Sequence, residues 1–248
     1  MTEEAGAKAL FDKFGTYVLP GRVEDPRRAI NEAQEAERIG LGAVWISERF
    51  ALKEPAVLAG AVSEATSKIR INGTFYATMR HPIVTASIAN LMQAMSNERF
   101  GIMFARAVPA YMKMLGAPAI TMERLADCIS IMRRLWNGET VDYEGVLGKF
   151  PMLKLTDMHN GKAPPIIFTA IGPKSLEFAG THCDGVLLHP FVSPDGVRNS
   201  TKIVRDAAEA AGRDPRLAAV FMLQPVRHHL ELQLAHRAEH QHRAGHRP

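Results

Sequence analysis

The sequence lacks the marks of several large protein classes. No stretch in its 248 residues approaches the roughly 18 consecutive apolar residues of a membrane-spanning helix, so no membrane partner is expected. The amino-terminal MTEEAGAKALFDKFG is charged and has no apolar signal core. Only two cysteines occur, Cys128 and Cys183, on unrelated segments; they form no disulfide framework, and a reducing cytoplasm is the expected compartment. The G-x-G-x-x-G turn of dinucleotide-binding open sheets is missing, the first candidate turn reading LPGRVEDP instead. No basic stripe interleaved with aromatics is present, and half of the formal charge of +4 sits in the last 24 residues, so nucleic acid is not an expected partner.

Those last residues, PVRHHLELQLAHRAEHQHRAGHRP, hold six of the ten histidines. His236 with His240, and His242 with His246, have the i,i+4 spacing that can put two imidazoles on one helix face and hold zinc. Cysteine is absent nearby and the segment has no core pattern, so no metal site is expected. Residues 225–248 read as a tail outside the fold.

Residues 1–224 read as one domain, and 46% hydrophobic residues suffice for its core. Short β-branched runs alternate with 3.6-period segments. Strands are expected at 14–21, 42–47, 69–76, 99–105, 164–170, 184–191 and 217–224. Helices are expected from Pro26 to Gly40 behind Asp25, from Pro55 to Ala65, and over 81–96, 121–137 and 194–212. The first should bury Ala29, Ala33, Ala36 and Ile39; the third shows Ile83, Ser87, Asn90, Leu91 and Ala94 at near-helical spacing. Thr121 caps the fourth in an imperfect box, Arg124 standing in place of Glu. Residues 138–163 read as an irregular insertion.

Such alternation implies right-handed parallel βαβ units. A (β/α)8 barrel presents its site residues just past the carboxyl ends of its strands. That explains VWISERF, where an apolar strand delivers Glu48 and Arg49 with no Gly or Pro turn first. Only seven strands are countable, so the expected fold is an incomplete α/β barrel of the TIM type.

VWISERF, NGTFYATMRHP, NERFGIMFARA, ERLADCISIMRRLWNGETVDYEG and PPIIFTAIGPKSLEFAGTHCDGV, in that order, resemble the luciferase-like monooxygenase superfamily. The nearest branch is the F420-dependent oxidoreductases of actinobacterial type, and the resemblance covers about residues 14–224. Members are usually longer, which implies a shortened or altered carboxyl-terminal end. The resemblance implies hydride transfer between coenzyme F420 and a small organic substrate, with a homodimer as the assembly. The alternatives are an FMN-dependent monooxygenase of the same fold and a catalytically silent barrel or binding subunit.

Carried over residue by residue, the resemblance puts Glu48 and Arg49 against the cofactor ring as catalytic candidates beside Ser47. Thr74, Phe75 and Tyr76 match the family's third-strand bulge, which implies a cis Phe75–Tyr76 peptide behind the ring. Thr169, Ile171, Gly172, Pro173, Lys174 and Ser175 match the segment that holds the cofactor's phosphate tail. A helix amino terminus suits an anion there, since its free N–H groups and dipole point at it. After the fourth strand Ala105 and Arg106 stand where relatives carry a glutamate acid, and Arg49 replaces the histidine base of the sugar-phosphate dehydrogenases. The His/Glu scheme therefore does not transfer. Plainer roles compete: Glu48 can pair with Arg49 or Arg80 as structural glue, Arg106 can be an ordinary ion-pair partner, Phe75 and Tyr76 are at least partly core, Trp45 is core, and His81 is a cap. His189 is the histidine outside the tail that is placed to face a barrel mouth.

Overall fold

The β-branched and aromatic runs form strands, and each proline-opened segment after them forms a helix. The computed structural model describes residues 14–222 apart from 21, 22, 50, 51, 157, 159, 160, 190, 191, 217 and 218; the histidine-rich tail lies outside the described residues. In chain order the elements are β1 (Gly15–Tyr17), α1 (Arg28–Arg38), β2 (Ala43–Ile46), α2 (Pro55–Ala65) and β3 (Arg70–Phe75). A 3-10 turn (Ala77–Met79), α3 (Pro82–Met95), β4 (Phe100–Phe104), α4 (Pro109–Met114) and α5 (Met122–Trp136) follow. The chain continues through β5 (Val141–Gly145), β6 (Gly148–Leu153), β7 (Ile166–Ala170), α6 (Pro173–His182), β8 (Gly185–Leu188), α7 (Pro194–Ala210) and β9 (Ala219–Met222).

Seven of these strands make one sheet in the order β1-β2-β3-β4-β7-β8-β9, and every pairing in it is parallel. The sheet is curled. β2 and β9 stand five positions apart, about 24 Å in a flat sheet at the usual strand spacing, yet the Trp45 and Phe221 rings meet edge to face at 5.3 Å. This is the expected incomplete barrel, open between β9 and β1 among the described residues. Side chains alternate as parallel strands require. Val44, Ile46, Ile71, Ile102, Phe104 and Phe168 point out to the helices. Ala43, Trp45, Met103, Ile167 and Leu187 fill the interior, with Tyr17 and Phe221 packed on them. Trp45 is thus core, 2% exposed.

Several expectations need correction. Residues 138–163 contain an antiparallel hairpin, β5–β6, anchored where the Tyr143 hydroxyl donates to Asp127 on α5. Ile39 is exposed, because α1 ends at Arg38 and the chain turns away through Gly40 at φ 86°. On α3 the buried face is Thr85, Ala86, Ala89, Asn90, Met92 and Gln93, while Leu91 and Ala94 face outward. Small Ala86 and Ala89 let that helix approach the core, and Trp136 Nε1 donates to the Ala86 carbonyl at 3.0 Å. The caps behave better: Thr121 Oγ1 accepts from Arg124 N at 3.2 Å, and His81 Nδ1 accepts from Ile83 N at 3.4 Å. Both cysteines are buried free thiols, and burial pushes each up to about 12. No helix among the described residues is long and apolar enough to cross a membrane.

The closest helix contact, between α6 and α7, depends on a glycine. A Cβ on Gly180 would run into the Val204 carbonyl oxygen and lie 2.8 Å from the Ala207 Cβ. Gly180→Ala should therefore cost about 1–3 kcal/mol by overpacking despite alanine's better helix propensity. Thermal denaturation should show a Tm lower by roughly 2–10 °C.

Candidate functional site

The strand carboxyl ends open onto a cavity of about 410 Å3. Its wall includes Tyr17 at the end of β1, Arg106 and Pro109 after β4, Thr169 in β7 with Ile171 just past it, and Ser175 in the first turn of α6. Leu187, Leu188 and His189 close it from β8. That size lies within the ~300–1,000 Å3 of small-molecule sites.

The expected residues fall into two groups. Arg106 is exposed on the cavity wall beside half-buried Ala105. Thr169 lies on the wall with its hydroxyl 3.5 Å from the Phe104 carbonyl, and Ile171 is 74% exposed there. Gly172 is the N-cap of α6, with no side-chain cap bond. A Cβ built on Gly172 would meet nothing within 4 Å, so the space before that helix end is open to a ligand. Pro173 and Lys174 are exposed, and Ser175 lines the cavity.

The second group sits at the ends of β2 and β3, off the cavity wall. Ser47 is half-buried and Arg49 exposed, its backbone bridged to Lys53. Glu48 is only 4% exposed and fully engaged. Its Oε1 lies 2.5 Å from Arg80 Nη1, and its Oε2 accepts the Tyr76 N–H at 2.7 Å. Burial raises its carboxyl above the usual range, with the Tyr76 amide and Arg80 acting against that rise. Thr74 is buried with no hydrogen-bond partner for its hydroxyl, and Phe75 turns into the outer core beneath the Arg80 guanidinium at 5.1 Å. Tyr76 is half-buried, and its phenol is raised by burial, by Glu48 and by Tyr111, against the pull of Arg49. The expected cis Phe75–Tyr76 peptide is absent, and no described peptide bond is cis. A trans bond already aims the Tyr76 N–H at Glu48, so nothing offsets the ~3 kcal/mol that the cis form costs.

Tyr17 was missed. It ends β1, faces the interior, and its hydroxyl is raised by burial while Arg49 lowers it and Tyr76 adds to the rise. Its inward alternation at a strand's carboxyl end was the available signal. Arg80 was noticed only as a rival partner for Glu48. A lysine holds the turn after Tyr17: Lys53 Nζ donates to the Leu19 carbonyl at 2.7 Å and the Val18 carbonyl at 3.3 Å. Glu32 accepts the Leu19 N–H at 2.7 Å, which fixes a left-handed φ of 51° uncommon for leucine.

Comparison with known proteins agrees with the fold. Residues 5–243 match the luciferase-like monooxygenase family model. An F420-dependent glucose-6-phosphate dehydrogenase from Amycolatopsis mediterranei is 25% identical over 96% of this chain and 71% of its own. The oxygenase component of a flavin-dependent trigonelline monooxygenase from Acinetobacter baylyi is 27% identical over 67% of this chain and 51% of its own. An F420-dependent secondary alcohol dehydrogenase, solved with an F420-acetone adduct, superposes with a TM-score of 0.75 at 22% identity over 85% of this chain and 68% of its own. The chain thus spans about half to just over two thirds of these relatives.

Lys53 generates a pH prediction. Burial, with Arg49 adding to it, brings its ammonium down from 10.5 to about 8. Between those values the unfolded chain holds a proton that the folded chain has released, so stability rises with pH across the window. Relative to Lys53→Met, the wild type should gain about 2–3 kcal/mol from pH 8 to 10.5 in urea titrations. A flat difference would mean that the ammonium is not strained by its burial.

Proposed function

Because the chain belongs to the luciferase-like monooxygenase family and its strand ends open onto one cavity, we propose that it is an oxidoreductase transferring a hydride between coenzyme F420 and a small organic substrate. The observation that carries this is the cavity beside the uncapped start of α6, with Arg106 past the neighbouring strand β4 also lining it. The residues suit the cofactor. The open space at Gly172 and the amino end of α6, with Lys174 and Ser175, accept the anionic tail. Pro173 presets the first turn. Arg106 would add charge, and Thr169 with Ile171 would meet the ring on the cavity wall. The partnerless hydroxyl of Thr74 is an acceptor and donor in reserve.

When bound, the deazaflavin supplies the hydride-carrying carbon. This chain binds, orients and keeps water out. Tyr76 and the Phe75 backbone, beside the cavity at the ends of β2 and β3, would extend its wall toward the ring, Ala105 would leave room there, and Arg49 with Ser47 would steer ring or substrate from the mouth. Glu48, already shared between Arg80 and the Tyr76 amide, holds that wall in place. The flavin-dependent relative favours a second reading, an FMN monooxygenase on the same scaffold. A silent binding subunit is the third.

A homodimer belongs to this reading. Val57 on α2 and Val84, Leu91 and Met95 on α3 stay exposed, the last three at heptad-like spacing, and a second copy would cover them. Leu91→Glu should shift sedimentation equilibrium toward monomer without changing the circular dichroism of the fold.

Titrating the purified protein with F420 and with FMN, read by fluorescence quenching, tests the assignment. Saturable F420 binding is expected, weakened about tenfold or more by Arg106→Ala. Tight FMN uptake without F420 affinity would select the monooxygenase, and no response to either would select the silent protein.

A further inference from the structure

Arg80 has no role assigned within NGTFYATMRHP, yet its guanidinium joins three parts of the fold. Nη1 pairs with Glu48 past β2 at 2.5 Å, and Nη2 donates to Glu54 Oε1 at 2.8 Å. Glu54 Oε2 in turn caps α2 by accepting the Val57 N–H at 2.8 Å. The guanidinium carbon lies 5.1 Å above the Phe75 ring at the end of β3. The carboxylate it holds is the one that accepts the Tyr76 N–H. Side-chain exposure is 18% for Arg80 and 3% for Glu48, so the pair is largely shielded from water.

We propose that Arg80 is a positioning residue of the redox site, acting through Glu48 to fix the backbone of Tyr76 and hold its ring at the barrel mouth. The functional consequence rests on the hydride-transfer reading; the geometry does not. A buried carboxylate without its counter-ion takes up a proton or drags in water. Either change weakens its charge-assisted bond to the Tyr76 amide and frees the segment that leads into the 3-10 turn. Arginine suits the post because one planar fork reaches two carboxylates while its face lies on an aromatic ring, which a lysine ammonium cannot do.

The test uses full-length protein carrying 3-fluorotyrosine. The four tyrosines give four fluorine signals, and Tyr76→Phe identifies one of them. Arg80→Met should shift and broaden the Tyr76 signal, leave that of Tyr143 on the hairpin in place, and weaken F420 binding at least tenfold. Arg80→Lys should restore part of both. Glu48→Gln combined with Arg80→Met removes the uncompensated charge, so it should recover Tm while the Tyr76 signal and the affinity stay perturbed. Full recovery of all three in the double variant would reduce Arg80 to a counter-ion and overturn the proposal. An unmoved Tyr76 signal in Arg80→Met would overturn it as well. Should Arg80→Met fail to fold, Arg80→Lys supplies the same readouts. If the wild type binds neither F420 nor FMN, the redox reading falls, while the fluorine signals still decide the positioning role.

Discussion

A carboxylate at the end of a strand buried on both faces must find positive charge and hydrogen-bond donors, because the interior cannot solvate it. Glu48 finds a guanidinium and an amide, and the arrangement of the mouth depends on that match. The pair ties the end of β2 to the end of β3, and through Glu54 to the start of α2. The cavity side of the mouth is set otherwise, by the free end of α6 and the turn that carries Arg106. One half of the site is thus held by ionic bonding around Tyr76. The other half is open and mostly apolar, with the polar groups of Arg106, Thr169, Ser175 and His189 among its lining residues.

The His/Glu scheme of the sugar-phosphate dehydrogenases does not carry over, because other residues hold its positions. Arg49 and Arg106 stand where a base and an acid would be expected, and both are exposed at the mouth. The phenols of Tyr17 and Tyr76 and the imidazole of His189 lie near them. Burial raises the Tyr17 and Tyr76 hydroxyls, so both stay protonated at neutral pH. A cofactor that brings its own redox carbon asks little more of its protein than orientation, charge matching and dryness.

Much of the fold was legible because a parallel strand covered on both faces reads as an unbroken apolar run. AVWI, FGIMF and IIFTA all became strands of the sheet. Helix faces were less legible. Period alone gives a stripe, but close packing of Ala86 and Ala89 turned α3 so that Leu91 points out. The β5–β6 hairpin was missed because its strands are mostly exposed, and charged residues such as Asp142, Glu144 and Lys149 blur the alternation. Of the site, the loop after β7 was visible through its Gly-Pro helix start. The pairing of Glu48 with Arg80 was legible as one of the plainer roles of that carboxylate, and it forms because β2 and β3 are neighbours in the sheet.

The two thiols have a practical consequence. Cys128 lies in α5 and Cys183 between α6 and β8, with 0% and 1% of their surface accessible. Maleimide or iodoacetamide attacks only a solvent-reachable thiolate, so at neutral pH the native molecule resists both reagents. Each alkylation event then records an excursion in which α5 or the turn between α6 and β8 has opened. Labelling rates at the two positions form a pair of internal clocks, telling local fraying from collapse of the whole barrel.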